Sequence, residues 1–131
     1  MVIGETIASM PQAERQVTVL IVDDLPSFRA VAQMVLETDG FAVVGPASDG
    51  ESGVAATLRL APDVVLLDVE LPDIDGFEVA ARLREAGSAT AIVLASSRDG
   101  SDFGSLVTES GARGFLTKAD LTGDAIRALV A

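Results

Sequence analysis

The chain has 131 residues, 49% of them hydrophobic: about one domain's worth, with enough apolar material for a single buried core, which excludes intrinsic disorder. Nine Lys and Arg against twenty Asp and Glu leave a net charge of −11, so the surface repels phosphate backbones and anionic lipid heads, and no nucleic acid partner is expected. With neither Cys nor His, disulfides, thiolate nucleophiles, imidazole bases and zinc or iron–sulfur centres drop out together.

Residues 1–16, MVIGETIASMPQAERQ, show neither strand alternation nor a sustained helical stripe, and read as a mobile leader ahead of one domain at 17–131. They lack the basic and apolar regions of a secretion signal, and the longest apolar run, Ala91–Ala95, is far shorter than the roughly 20 residues of a spanning helix. A cytoplasmic location without a membrane partner is the expectation. From Val17 onward short apolar runs alternate with helical patterns: VTVLIV at 17–22, FAVV at 41–44, DVVLL at 63–67, AIVLA at 91–95 and GFLT at 114–117. Runs that stay apolar instead of alternating belong to strands covered on both faces. Between the first two, Phe28, Val31, Ala32, Val35 and Leu36 keep helical spacing after Pro26 and before Asp39-Gly40. Asp75 with Glu78 resembles a capping box opening a helix over about 76–86, with Val79 and Leu83 inside. Helices over about 50–60, 101–110 and 120–130 complete the alternation, although each holds a glycine (Gly53, Gly104, Gly123) that lowers helix propensity. Strand and helix alternating five times predicts an open parallel α/β sheet with right-handed crossovers.

In such a sheet chemistry gathers at the carboxyl ends of the strands. Asp23 and Asp24 follow the first strand, Asp68 the third, Ser96 and Ser97 the fourth, Thr117 and Lys118 the fifth. Any one Asp after a strand is more often a turn or cap residue; the joint placement is what points to a site. Three carboxylates against one ammonium leave the rim two charges negative, which one divalent cation neutralises, and without His or Cys the hard ion Mg²⁺ fits better than zinc. The stretch Leu71–Gly76, LPDIDG, superficially suggests a calcium loop, but Leu71 would hold the first ligand position and Arg82 the twelfth. No phosphate-cradling glycine loop is present.

Four segments, LIVDD (20–24), VVLLDVELPDIDG (64–76), LASS (94–97) and GARGFLTK (111–118), come in an order and spacing that resemble the CheY-like receiver domain of bacterial two-component response regulators. The resemblance spans Val17 to Val130 and implies a flavodoxin-like parallel sheet of order 2-1-3-4-5 with five flanking helices. It implies a phosphoacceptor at Asp68, loaded by a histidine kinase or phosphotransfer protein, with slow self-dephosphorylation. It also implies Mg²⁺ held by Asp24, Asp68 and the backbone carbonyl of Glu70, with Asp23 acting through water. Ser96 and Phe115 resemble the switch pair, and Lys118 the lysine that meets the phosphoryl oxygen. A relay face, and with it a homodimer contact, is implied on helix 4, strand 5 and helix 5. Such a module is a stoichiometric acceptor rather than an enzyme. Two other readings are a pseudo-receiver that binds without phosphorylation, which the intact Asp23, Asp24, Asp68, Ser96 and Lys118 set opposes, and a small Mg²⁺-dependent phosphatase, for which no general acid is evident. The family usually has Pro after the lysine; Ala119 stands here, and a trans Lys118–Ala119 bond is expected. Glu70 and Arg98, leaving adjacent strand ends, either meet as a partly exposed ion pair over the site or both point to solvent.

Overall fold

All five apolar runs become strands in the computed structural model, which describes residues 15–131: β1 Thr18–Val22, β2 Ala42–Ala47, β3 Val64–Asp68, β4 Ala91–Ser96 and β5 Gly114–Thr117. They pair in parallel in the order β2-β1-β3-β4-β5, as the resemblance implied. β2 runs farther than its apolar stretch, through Gly45 and Pro46, which an edge strand tolerates because one side needs no partner. Residues 1–14 of the expected leader lie outside the described residues; Gln16 is tethered, its side-chain amide donating to the Gly40 carbonyl (3.3 Å).

Neighbouring residues of the inner strands point to opposite faces, and both faces are covered. On one, Val19 and Ile21 of β1, Val64 and Leu66 of β3, and Val93 and Ala95 of β4 pack with Ala32 and Leu36 of α1 (Pro26–Thr38) and Ile126 of α5 (Gly123–Val130). On the other, Leu20, Val22, Val65, Leu67, Ile92 and Leu94 pack with Ala56 of α2 (Gly50–Leu60) and Val79, Ala80 and Leu83 of α3 (Gly76–Glu85). Full burial of each such aliphatic side chain contributes roughly 1.5–3 kcal/mol, so the middle of the sheet is the rigid part of the molecule.

The helix starts are pinned by side chains. Pro26 opens α1 with its φ preset and no N–H to satisfy. Asp49 and Ser52 form a reciprocal capping box on α2, Asp75 accepts from Glu78 N (2.8 Å) on α3, and Thr122 accepts from Ala125 N (3.0 Å) on α5. The start of α2 has a second partner from outside the helix: Gly50 N and Glu51 N donate to the two carboxylate oxygens of Asp73 at 2.7 and 2.8 Å. Partial desolvation would raise the Asp73 carboxyl, but those N–H donors outweigh it and hold it down at about 2.

One predicted helix is corrected. In place of a helix over 101–110 there is a 3₁₀ turn at Gly100–Phe103, then Gly104, then a single helical turn, α4, at Leu106–Glu109. Gly104 has φ 57° and ψ −131°, a conformation that side-chain-bearing residues avoid, and it divides the segment. The last helix begins three residues later than expected, after a 3₁₀ turn at Lys118–Asp120.

Gly76 is fixed by packing. Its N–H donates to Val69 O (2.8 Å), and a Cβ there would lie 2.5 Å from the carbonyl oxygen of Asp68 and 2.9 Å from the Cα of Val69. Backbone cannot rotate away as a side chain can. Gly76→Ala is therefore expected to lower stability by about 1–3 kcal/mol, read as a drop in urea midpoint; an unchanged midpoint would mean that the loop after β3 yields freely.

Candidate functional site

Parallel pairing brings the candidate residues together. The registers set Val22 beside Leu67, Asp68 beside Ala95 and Ser96 beside Thr117, so the residues at the strand ends share one rim. Asp23 and Asp68 are nearly sealed, at 1% and 4% exposure, while Asp24 is exposed. Each of the three offers an oxygen within 4.8 Å of the others. Lys118 reaches across from β5, its Nζ 2.7 Å from Asp23 Oδ2 and 3.5 Å from Asp68 Oδ2, with the ring of Phe28 4.6 Å away. Asp68, Asp24, Glu70, Ser97, Leu25 and Lys118 line a shallow recess of about 220 Å³.

The ligand sphere of Asp23 is half complete. Oδ1 accepts from Leu25 N (2.9 Å), and the Asp23 carbonyl accepts from Arg29 Nη1 (2.6 Å), fixing the turn into α1. Oδ2 is buried without a hydrogen bond, because the nearby Lys118 ammonium is close enough for an ion pair but not aligned for donation. A buried carboxylate oxygen with no donor, among three clustered carboxylates and one ammonium, is an arrangement that an oxygen-seeking cation completes. Asp68 Oδ1 accepts from Glu70 N (3.3 Å) and Oδ2 from Lys118 (3.5 Å). Burial first, then the adjacent Asp23 carboxylate, push the Asp68 carboxyl up from 3.8 to about 6, against the opposing pull of Lys118 and the Glu70 N–H.

Ser96 is fully buried; its hydroxyl accepts from Arg98 N (3.0 Å) and donates to Glu70 Oε1 (3.1 Å). Phe115 is half-buried on β5, tilted against Phe103 (centroids 5.8 Å apart), which in turn meets Phe77 edge-on (5.7 Å). The ion pair considered between Glu70 and Arg98 is not made. Arg98 turns the other way, to Asp102 (3.4 Å) and over the Phe103 ring (5.0 Å), because those partners lie on the 3₁₀ turn that follows it in the chain. No peptide bond among the described residues is cis, so Lys118–Ala119 is trans as expected.

Phe28 beside Lys118, Phe103 beside Phe115 and the carboxylate of Glu70 beside Ser96 were not singled out in these contacts from sequence. Phe28 reads there only as part of the α1 apolar stripe, and nothing local announces its cationic neighbour. A larger recess, about 390 Å³, lies at the opposite rim, but its one ionisable residue, Asp63, is occupied by the N–H (2.9 Å) and hydroxyl (3.1 Å) of Thr18. That recess carries no comparable chemistry.

A doubly covered parallel sheet with an acidic, lysine-bridged pocket at its carboxyl rim is an open α/β fold that gathers its chemistry at the strand ends. The chain belongs to the response regulator receiver domain family, whose model matches residues 19–130. It is 35% identical over 102 residues to a putative transcriptional regulator of Pseudomonas aeruginosa, covering 78% of this chain and 49% of that protein. It is 34% identical over 110 residues to the virulence factors putative positive transcription regulator BvgA of Bordetella pertussis, covering 84% and 53%. The chain thus spans about half the length of these curated relatives. Among solved structures, the signal receiver domain of the putative response regulator NarL from Mycobacterium tuberculosis superposes with a TM-score of 0.81 at 33% identity, covering 88% of this chain and 97% of that one. Among the described residues no helix is long and apolar enough to cross a membrane.

The raised Asp68 carboxyl has a consequence for stability. A group whose folded-state value lies above its unfolded one contributes stability that is complete below about pH 4 and is lost as pH rises through about 6. In metal-free buffer Asp68→Asn is expected to melt above wild type at pH 7, by several degrees for a difference on the order of 1–3 kcal/mol, with the gap closing toward pH 4. Melting curves at the two pH values check this; a constant gap would show that another group titrates.

Proposed function

We propose that the chain is a Mg²⁺-dependent phosphoaspartate switch working in the cytoplasm, loaded by a histidine kinase or phosphotransfer protein. The observation that carries this reading is the sealed Asp68 carboxylate at the rim recess, with the Lys118 ammonium 3.5 Å from it and the unsatisfied Oδ2 of Asp23 alongside. An Asp68 oxygen attacks the phosphorus of a phosphohistidine. The new P–O bond forms as the P–N bond breaks, and the imidazole leaves with the bond's electron pair.

Lys118 meets the phosphoryl oxygen as a fixed positive charge, and its place between Asp23 and Asp68 spares it a search for that position. Ser96 donates a hydrogen bond from its hydroxyl to another phosphoryl oxygen, and the Phe115 ring follows. Asp23, Asp24, Asp68 and the carbonyl of Glu70 would hold Mg²⁺, which supplies charge neutralisation for a transfer that depends on positioning and electrostatics more than on covalent catalysis. The signal leaves through the face made by α4, β5 and α5, where a second copy of the chain or an output partner docks. The domain is consumed once per phosphoryl group, as an acceptor with slow self-hydrolysis, and is not a turnover enzyme.

Acetyl phosphate with Mg²⁺ is expected to add one phosphoryl group, visible by intact mass as an acid-stable, base-labile adduct, and Asp68→Asn is expected to abolish it. Unchanged labelling of that variant would overturn the assignment. Mg²⁺ alone is expected to raise the melting temperature of wild type by a few degrees at saturation, and of Asp24→Ala by clearly less, with chelator restoring the original value. Equal shifts in both proteins would place the metal elsewhere.

A further inference from the structure

A serine hydroxyl has one proton to donate. In Ser96 that proton is already committed: the side chain is fully buried, its oxygen accepts from Arg98 N, and its single donor valence goes to Glu70 Oε1 at 3.1 Å. Glu70 is free to hold it. No cation forms an ion pair with Glu70 among the described residues, since Arg98 is taken by Asp102 and Phe103. Glu70 and Asp68 are neighbours through the backbone as well, Glu70 N donating to Asp68 Oδ1 (3.3 Å), so the carboxylate that claims Ser96 is anchored beside the carboxylate that would carry the phosphoryl group.

We propose that Glu70 is a latch on Ser96: its carboxylate holds the proton that a phosphoryl oxygen on Asp68 must take, and so it sets how far the switch turns at a given occupancy of Asp68. The inference rests on the phosphoaspartate reading above. Both acceptors are anions, and a hydrogen bond to a charged acceptor is stronger than a neutral one, so the exchange is between near equals. An interaction made only in the unphosphorylated state stabilises that state and opposes the phosphorylated one. Glu70 is thus a positioning residue acting through Ser96. It also repels an incoming anion directly, an effect that does not pass through Ser96, and the two contributions separate in a double-mutant cycle.

The full chain at fixed Mg²⁺ is titrated with beryllofluoride, a stable stand-in for the phosphoryl group, as wild type, Glu70→Ala, Ser96→Ala and the double variant. Backbone amide and Phe115 resonances supply the readout, and melting in metal-free buffer checks that each variant folds. Glu70→Ala is expected to tighten the apparent Kd roughly 10-fold when Ser96 is present, and only about 2–3-fold in the Ser96→Ala background, where charge repulsion alone is relieved. The Ser96 hydroxyl proton is expected to be visible and slow to exchange in ligand-free wild type, and to be lost in Glu70→Ala. Equal tightening in both backgrounds, with beryllofluoride still shifting Phe115, would overturn the latch and leave the phosphoaspartate reading standing. No beryllofluoride binding by any variant, together with no labelling by acetyl phosphate, would overturn both.

Discussion

One ammonium shared by two buried carboxylates organises the rim. Lys118 sits between Asp23 and Asp68, each less than 5% exposed, and its charge cannot balance both. Where water is largely excluded such an imbalance is felt more strongly than on an open surface. The surroundings hold the groups there all the same: Arg29 grips the Asp23 carbonyl, Leu25 N holds one Asp23 oxygen, Phe28 backs the ammonium, and Gly76 packs against the Asp68 backbone. Each contact resists the relaxation that would let a carboxylate swing out to solvent. The result is a preorganised negative pocket, unbalanced in charge and fixed in geometry.

Much of this was legible in the sequence because parallel α/β architecture converts local pattern into global position. Apolar runs at Val19–Val22 and Val64–Leu67 announce strands covered on both faces, and once the strands are parallel, whatever follows them must share an edge. That logic alone sets Asp23, Asp24, Asp68, Ser96 and Lys118 along one edge. Side-chain partnership is less legible. Glu70 and Arg98 leave adjacent strands, but Arg98 finds Asp102 four residues along the chain, and a partner supplied by the same segment wins over one across a loop. Asp49 and Asp73 together hold the start of α2, one from its cap position and one from a different connection.

The segment after β4 shows where pattern misleads. The alternation suggests a helix over about 101–110, but Gly104 ends the 3₁₀ turn at positive φ and the helix survives as one turn. What remains is held by rings: Arg98 over Phe103, Phe103 against Phe77 on one side and Phe115 on the other. Two short turns separated by Gly104 are thus held in place by side-chain contacts with neighbouring elements, in the segment that follows Ser96.

The grip of Asp73 on α2 has a mechanical meaning. Two charge-assisted hydrogen bonds tie the connection that follows Asp68 to the first turn of a neighbouring helix, and Ile74 packs where Gly50 leaves no room for a side chain. On that flank the rim is braced like a buttressed wall. The opposite flank, from Ser96 through the interrupted helix to Phe115, has no such brace. The two sides of the rim are therefore tied differently, one through charge-assisted bonds to a helix start and the other through ring contacts among Phe77, Phe103 and Phe115.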